Sequence, residues 1–316
     1  MEKKVLNLLS IVIPVHNEQG NIVWHHEKIL QKLNSMKSKY EIIYVDDGSS
    51  DDSLELLKKL SSKGTQTKYI SFSRNFGKEA AITAGMRRAT GDAVLVIDSD
   101  GQHPIEMIDE FIAKWHEGYE VIIGVRESNQ GEGLIKSAGS KLFYLLLKIV
   151  DGSHNALPGS TDFRLIDRLV VDQFNLLTER SRISRNLIDW LGFKRTTVPF
   201  DAHARHSGKA AYSYRKLVKL AIDGAITHST RPLKLIGALG LLISSIAFVL
   251  LIFLVIETYL LSDPLSLAVS GTAFLAIFLS LLIGIVLACQ GLLALYIENI
   301  YYEAQNRPLY IAREDT

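Results

Sequence analysis

The chain has 316 residues, and its 35 Lys and Arg nearly cancel its 34 Asp and Glu, so no basic field argues for a nucleic-acid partner. A single cysteine, Cys289, excludes an internal disulfide. The length allows two domains, or one domain with an appendage.

The amino-terminal apolar run breaks at Pro14 and His16 and has no small-residue cleavage site. It reads as a first strand, LLSIVIPV (8–15), and not as a signal peptide. A helix follows, with Ile22, Ile29, Leu30 and Leu33 on one face. His25 and His26 are adjacent on it, so they do not share a face as paired ligands do. YEIIYV (40–45) is a strand that runs into DDGSSDDS, where Ser49, Asp51 and Asp52 are placed to cap a helix over 51–63. A strand at 68–73 and a helix at 77–89 come next, then the strand AVLVI (93–97), a helix at 104–117 and the strand EVIIGV (120–125). Strands alternating with helices predict an α/β fold: a mainly parallel sheet with helices on both faces.

In such sheets ligands gather at the carboxyl ends of the strands. Three strands end there on polar groups, in PVHNE (14–18), DDGS (46–49) and DSDGQ (98–102). Glu18, Asp46, Asp47, Asp98 and Asp100 thus share one sheet edge. Crowded carboxylates raise one another's pKa unless a positive charge intervenes. A divalent cation supplies that charge, and hard oxygen ligands without sulfur or imidazole suit Mg²⁺ or Mn²⁺, at Asp98 and Asp100.

Composition changes near residue 233. No charged residue falls within 235–256 or 264–297. A spanning helix needs about 20 apolar residues, which predicts two transmembrane helices, near 234–258 and 268–296. The intervening SDPLSL has no Lys or Arg, whereas Arg215, Lys216, Lys219, Arg231 and Lys234 precede the first span and Arg307 and Arg313 follow the second. By the positive-inside rule both termini are cytoplasmic, and the protein is a multi-pass protein of the cell membrane. The expected division is a cytoplasmic domain over 1–230, a membrane hairpin over 231–300 and a cytoplasmic tail over 301–316. KLFYLLLKIV, near 139–150, and the segment 212–230 read as interfacial helices on membrane lipid.

PVHNE, VDDGSSDDS and the D-x-D of DSDGQHP, in that order and on those strands, resemble the family 2 glycosyltransferases with the Rossmann-like GT-A fold. DGQHP and the two-helix tail resemble the polyprenyl-phosphate branch, which includes dolichol-phosphate mannose synthases and bacterial undecaprenyl-phosphate glucosyltransferases. The resemblance covers nearly the whole chain. It implies a metal-dependent, inverting transfer of one sugar from a nucleotide-sugar donor to a polyprenyl phosphate at the cytoplasmic face. The donor it implies is UDP-glucose or UDP-N-acetylglucosamine, and the product a lipid-linked sugar for cell-envelope glycans. It also implies a homo-oligomer, a tetramer in some members.

Residue by residue, the resemblance implies that Pro14, His16 and Glu18 line the nucleotide pocket and that Val45 and Asp47 contact the base. Asp98 and Asp100, with Ser99 between them, meet the metal and the diphosphate, and Gln102 the sugar side. Arg126 contacts the donor phosphates or the acceptor, and Arg205 closes over the nucleotide. Asp162, in GSTDFRLIDR, lies near the acceptor and orients the nucleophile; the alternative is a structural pair with Arg164. The family pattern has a lysine six residues after Arg205, but this chain has Ala211 there, and Lys209 is the nearest basic substitute.

Two other classes fit the sequence less well. A processive polysaccharide synthase has a Q-x-x-R-W motif, and SRISRNLIDWLGF (181–193) lacks both its glutamine and its adjacent Arg-Trp. A non-catalytic membrane scaffold has no use for clustered acids on a sheet edge.

Overall fold

The computed structural model of the protein describes residues 4–36, 38–126, 159–180, 182–201, 249, 256 and 271–316. Within these, β1 (Leu8–Val15), α1 (Ile22–Asn34), β2 (Lys39–Asp46), α2 (Ser53–Ser61), β3 (Thr67–Phe72), α3 (Lys78–Arg88) and β4 (Ala93–Val96) alternate as the sequence predicts. A 3₁₀ turn (Ile105–Met107), α4 (Ile108–His116), β5 (Val121–Arg126), β6 (Ser160–Asp167), α5 (Arg168–Leu176), α6 (Ser184–Trp190) and β7 (Arg195–Phe200) follow. The last described elements are α7 (Gly271–Ala304) and β8 (Ala312–Asp315).

The described strands form one sheet in the order β7-β5-β6-β4-β1-β2-β3-β8. Strand periodicity sorts its core. Ile11, Ile13, Ile42, Tyr44, Leu95 and Ile97 face one side, where Ile22, Ile29 and Leu33 of α1, Leu57 of α2, and Phe111 and Trp115 of α4 cover them. Val12, Ile43, Val45, Val94 and Val96 face the other, under α3, α5 and α6. The approach of α3 is close enough to need glycine: a Cβ on Gly85 would lie 2.2 Å from Val12 Cγ1.

The sheet is mainly parallel, as expected, with two reversed strands that the sequence did not predict. β1 pairs parallel with β2 and β4, β2 with β3, and β5 with β7. β6, however, runs antiparallel to both β4 and β5. β8 is also antiparallel, against β3. The tail thus supplies a strand beyond what its sequence suggested: Tyr310 stacks on Phe72 at 4.8 Å, and the Tyr69 hydroxyl donates to Glu314 at 2.8 Å. It covers the backbone edge that β3 would otherwise expose.

Helix α7 is 34 residues long and has no charged residue before Glu298. It contains most of the second expected span and continues to Ala304. Counted over the described residues alone, no helix is long and apolar enough to cross a membrane. The first expected span, except residues 249 and 256, and both expected interfacial helices lie outside the described residues.

Glu41, 4% exposed, ties together the edge opposite the acidic one. Its carboxylate accepts from Ser10 Oγ at 2.6 Å, Lys68 Nζ at 2.7 Å, and the backbone N–H and hydroxyl of Thr90 at 2.7 and 2.8 Å. Burial alone would raise its pKa, but these donors outweigh burial and bring it down from 4.5 to about 2. A carboxylate depressed by folding stabilises above its unfolded pKa and loses that contribution as pH falls through the folded one. The native state should therefore lose roughly 3 kcal/mol between about pH 4.5 and pH 2 through this group. Denaturant unfolding across that range should show a shallower pH slope in Glu41→Gln than in the wild type; equal slopes would remove Glu41 from the acid response.

Candidate active site at the acidic sheet edge

β1, β2 and β4 are parallel neighbours, so their carboxyl ends meet at one edge, as the sequence predicts. Pro14 and Val45 are register partners there, both buried. The loops after β1 and β2 are joined to each other. His16 Nδ1 lies 3.0 Å from the Asp47 carbonyl oxygen, Asn17 N–H donates to Ser49 Oγ at 3.0 Å, and Glu18 N–H donates to Ser53 Oγ at 2.9 Å. Glu18 in turn accepts from Asn21 Nδ2 at 2.5 Å. Asp51 accepts from Ser53 N–H at 3.0 Å, whereas Asp52, the helix-capping position, makes no side-chain cap bond. Capping therefore falls to Asp51, and Ser49 serves the neighbouring loop.

Asp47 is buried and accepts from Phe76 N–H at 2.6 Å and from Gly77 N–H at 2.9 and 3.1 Å. It anchors the loop that leads from β3 into α3. Burial raises its pKa against those two donors. Asp46 accepts from Ser71 Oγ at 2.9 Å and from Ser49 N–H at 3.1 Å, so it braces β2 against β3.

The D-x-D turn has a fixed shape. Gln102 N–H donates to Asp100 Oδ1 at 3.0 Å, and Asp98 N–H donates to His103 Nδ1 at 3.2 Å. His103 stacks on Phe163 of β6 at 4.9 Å, and burial lowers its pKa. Gly101 has φ +74°, and a Cβ there would lie 2.5 Å from the Trp24 ring of α1. Ser99 is buried between the two acids. His25 and His26 are also buried, which their adjacent positions on α1 concealed. His26 meets the Tyr44 hydroxyl at 3.1 Å. Among the described residues both ring nitrogens of His25 lack a partner, and burial, with His103 nearby, lowers its pKa to about 4, so it is neutral at physiological pH.

β6 supplies the rest. The β4–β6 register ends with Val96 opposite Arg164, and Asp98 and Asp162 lie two residues beyond it along their chains, on either side of Lys78. Like charges brought this close disfavour each other's ionised form. Lys78, the first residue of α3, relieves the pair: its Nζ lies 2.6 Å from Asp98 Oδ1 and 2.8 Å from Asp162 Oδ2. Burial opposes the ammonium charge, but the two carboxylates outweigh it and push the Lys78 pKa up. The same ammonium holds Asp162 below the usual carboxylate range against its own burial, helped by Arg185 and Arg164. Neighbouring Glu79 accepts from Ser184 N–H at 2.7 Å, and burial followed by repulsion from Asp162 raises its pKa. The structural alternative for Asp162 named Arg164 as its mate, but Arg164 is bonded to Asp189 at 2.9 Å. Arg126 ends β5, half-buried, with its N–H on the Gly159 carbonyl at 3.0 Å. Arg205 and Lys209 lie outside the described residues.

Lys78, Glu79 and Arg185 escaped the sequence reading. NFGKEA carried the available signal, a Lys-Glu pair opening a helix straight after a glycine. A separate pocket of about 420 Å³, lined by Arg87, Asn175, Arg180 and Tyr310 among others, contains none of the acidic-edge residues.

Among the described residues no three His, Cys, Asp or Glu side chains converge as a metal cage. Mg²⁺ at phosphate sites is ordinarily held by only one or two carboxylates, with substrate oxygens and water completing the shell, so the Asp98–Asp100 pair fits such an ion.

A family model described as "Glycosyl transferase family 2" matches residues 10–173. An "Uncharacterized glycosyltransferase YkcC" of Bacillus subtilis is 41% identical over 306 residues, covering 96% of this chain and 93% of that protein. An uncharacterized glycosyltransferase of Synechocystis is 38% identical, over 97% and 95%. An "SfII prophage-derived bactoprenol glucosyl transferase" of Shigella flexneri is 32% identical, covering 97% of each chain.

The turn geometry has a direct test. Gly101→Ala should lower the unfolding free energy by about 1–3 kcal/mol, from strain at positive φ together with the clash against Trp24. Trp24→Ala in that background should recover the steric part and not the backbone part. Unfolding curves of the two single variants and the double variant check this, and purely additive losses would contradict it.

Proposed function

Because this chain belongs to glycosyl transferase family 2, we propose that its acidic sheet edge transfers one sugar from a nucleotide-sugar donor to a polyprenyl phosphate, inverting the anomeric centre. The observation that carries this reading is the meeting of Asp98 and Asp162 through Lys78 where three parallel strands end. One carboxylate belongs to the D-x-D turn that faces the donor, the other to the strand on the acceptor side. The full-length likeness to a bactoprenol glucosyl transferase supports a lipid-phosphate acceptor. The donor in this reading is UDP-glucose or UDP-N-acetylglucosamine, and the product supplies cell-envelope glycans.

Breaking the anomeric bond leaves negative charge on the departing diphosphate. A Mg²⁺ or Mn²⁺ ion held by Asp98 and Asp100 would supply positive charge to that leaving group. The residues around it fix the geometry. Gly101, Gln102 and His103 shape the turn, and the joined loops carrying His16, Glu18 and Asp47 wall the nucleotide side. The acceptor needs little activation, because a phosphate monoester has a second pKa of about 6 and is ionised at neutral pH. Asp162, kept ionised by Lys78, is therefore not needed to deprotonate the attacking phosphate; as an anion it repels that phosphate directly and helps orient it only through the cation it holds.

A lipid acceptor requires the site at a membrane surface. The charge-free stretches 235–256 and 264–297 support an anchored protein, and α7 covers most of the second. Leu275, Val286, Leu293, Ile297 and Ile300 along it are exposed, an apolar surface suited to lipid. Tyr301 and Tyr302 near its end match an aromatic interfacial belt. The proposed arrangement has a membrane hairpin over 231–300, both termini and the catalytic domain cytoplasmic, and copies associated as a homo-oligomer.

Purified protein incubated with undecaprenyl phosphate, Mg²⁺ or Mn²⁺, and a panel of nucleotide sugars should yield one lipid-linked hexose, identified by mass. Asp100→Asn should cut transfer by at least about 10²-fold while leaving the fold intact. A panel without lipid product, or an unimpaired Asp100→Asn, would overturn the reading.

Topology has its own test. A reactive tag in the Ser262–Leu267 segment should label only from outside the cell, and tags at either terminus only from inside. Reversed labelling would separate the site from cytoplasmic nucleotide sugars.

A further inference from the structure

We propose that Lys78 is a phosphate-contacting residue, presented between Asp98 and Asp162 to an oxygen of the donor diphosphate or of the acceptor monophosphate. The assignment rests on the transferase reading above and adds to it a residue that the motif pattern did not include.

An ammonium has three N–H donors. Asp98 and Asp162 are the partners of Lys78 among the described residues, at 2.6 and 2.8 Å, which leaves donor capacity unused by the protein. The side chain is 35% exposed although both carboxylates are more enclosed, at 26% and 17%. The lysine side chain thus reaches the surface at the point where the D-x-D turn and β6 meet.

The position is set from three directions. Gly77 is fixed by the Asp47 carboxylate on its backbone N–H, so the start of α3 is pinned to the end of β2. Gly85 brings α3 down onto Val12. Glu79, the next residue, is bonded to the start of α6 through Ser184. Lys78 therefore sits on a rigid helix end and not on a free loop. Asp98 keeps its second oxygen, Oδ2, which is 4.0 Å from His103 Nε2, so the lysine contact on Oδ1 leaves that carboxylate able to meet a cation as well. A phosphate oxygen at Lys78 would lie beside both the metal-holding turn and the acceptor-side acid, where the departing and attacking phosphates converge.

The test measures binding without turnover, so it remains readable even where transfer fails. UDP and GDP, each with Mg²⁺, probe the donor side, and farnesyl phosphate, against farnesol as control, probes the acceptor side, all by calorimetry on the full chain. Lys78→Met should weaken one class about 10- to 100-fold, the value of a charge-assisted hydrogen bond. Loss confined to the nucleotides assigns the donor diphosphate; loss confined to farnesyl phosphate assigns the acceptor. Lys78→Arg, which keeps the charge, should recover part of the affinity. Should Lys78→Met not fold, Lys78→Gln carries the same comparison. A folded variant with unchanged affinity for every probe and only a shifted thermal midpoint would make Lys78 a counterion alone and overturn the proposal. So would a wild-type protein that binds none of the probes.

Discussion

Asp98 and Asp162 are brought to one edge by the antiparallel pairing of β4 and β6, and Lys78 is the cation between them. Two carboxylates drawn to one point repel each other, and the ammonium between them offsets that repulsion. Parallel strands sharpen the problem, since every loop that follows one opens at the same edge. Asp46 and Asp47 are committed to Ser71, Ser49 and the backbone of Phe76 and Gly77. Asp51 is committed to α2. The acids left for a ligand are those of the D-x-D turn and β6. The edge is therefore a set of carboxylates sorted by partner: some brace loops, and a few remain poised around one lysine.

Much of the fold was legible because local pattern and tertiary role agree. Ile11, Val12 and Ile13 alternate faces as a strand must, and Ile22, Ile29 and Leu33 recur at helical spacing. The directions of β6 and β8 were not legible. STDFRLID has a buried arginine in mid-strand, and its burial depends on Asp189, 25 residues away. β8 is four residues, ARED, whose alternation says little until Phe72 and Tyr69 are there to receive it. Strand direction depends on what pairs with the strand, and neither periodicity nor propensity records that.

The site divides in the same way. The sequence singles out Asp98, Asp100 and Asp162 because each lies in a recognisable motif, and the fold brings Asp98 and Asp162 to one lysine. Lys78 was hidden because a lysine at a helix start is ordinarily a solvated residue; the register of two distant strands gives it a role. His25 was hidden for a related reason. Its neighbours on α1 describe an amphipathic helix, while its burial comes from packing under the D-x-D turn, where Trp24 fills the space that a side chain at 101 would need.

The reversed direction of β6 is what brings Asp162 to the acidic edge. A strand parallel to β4 at that place would bring its last residues to the acidic edge, and Asp167 would arrive there in place of Asp162. Antiparallel, β6 begins at that edge and ends at the opposite one. Asp167 there opposes Ala93, accepts from Lys4 Nζ at 2.6 Å and Trp115 Nε1 at 2.7 Å, and caps α5 through Leu169 N–H at 2.9 Å. Two aspartates of one eight-residue strand thus take opposite tasks. One closes the bottom of the sheet with a full set of donors. The other reaches the top with Lys78 as its partner, at the edge where β1, β2 and β4 end.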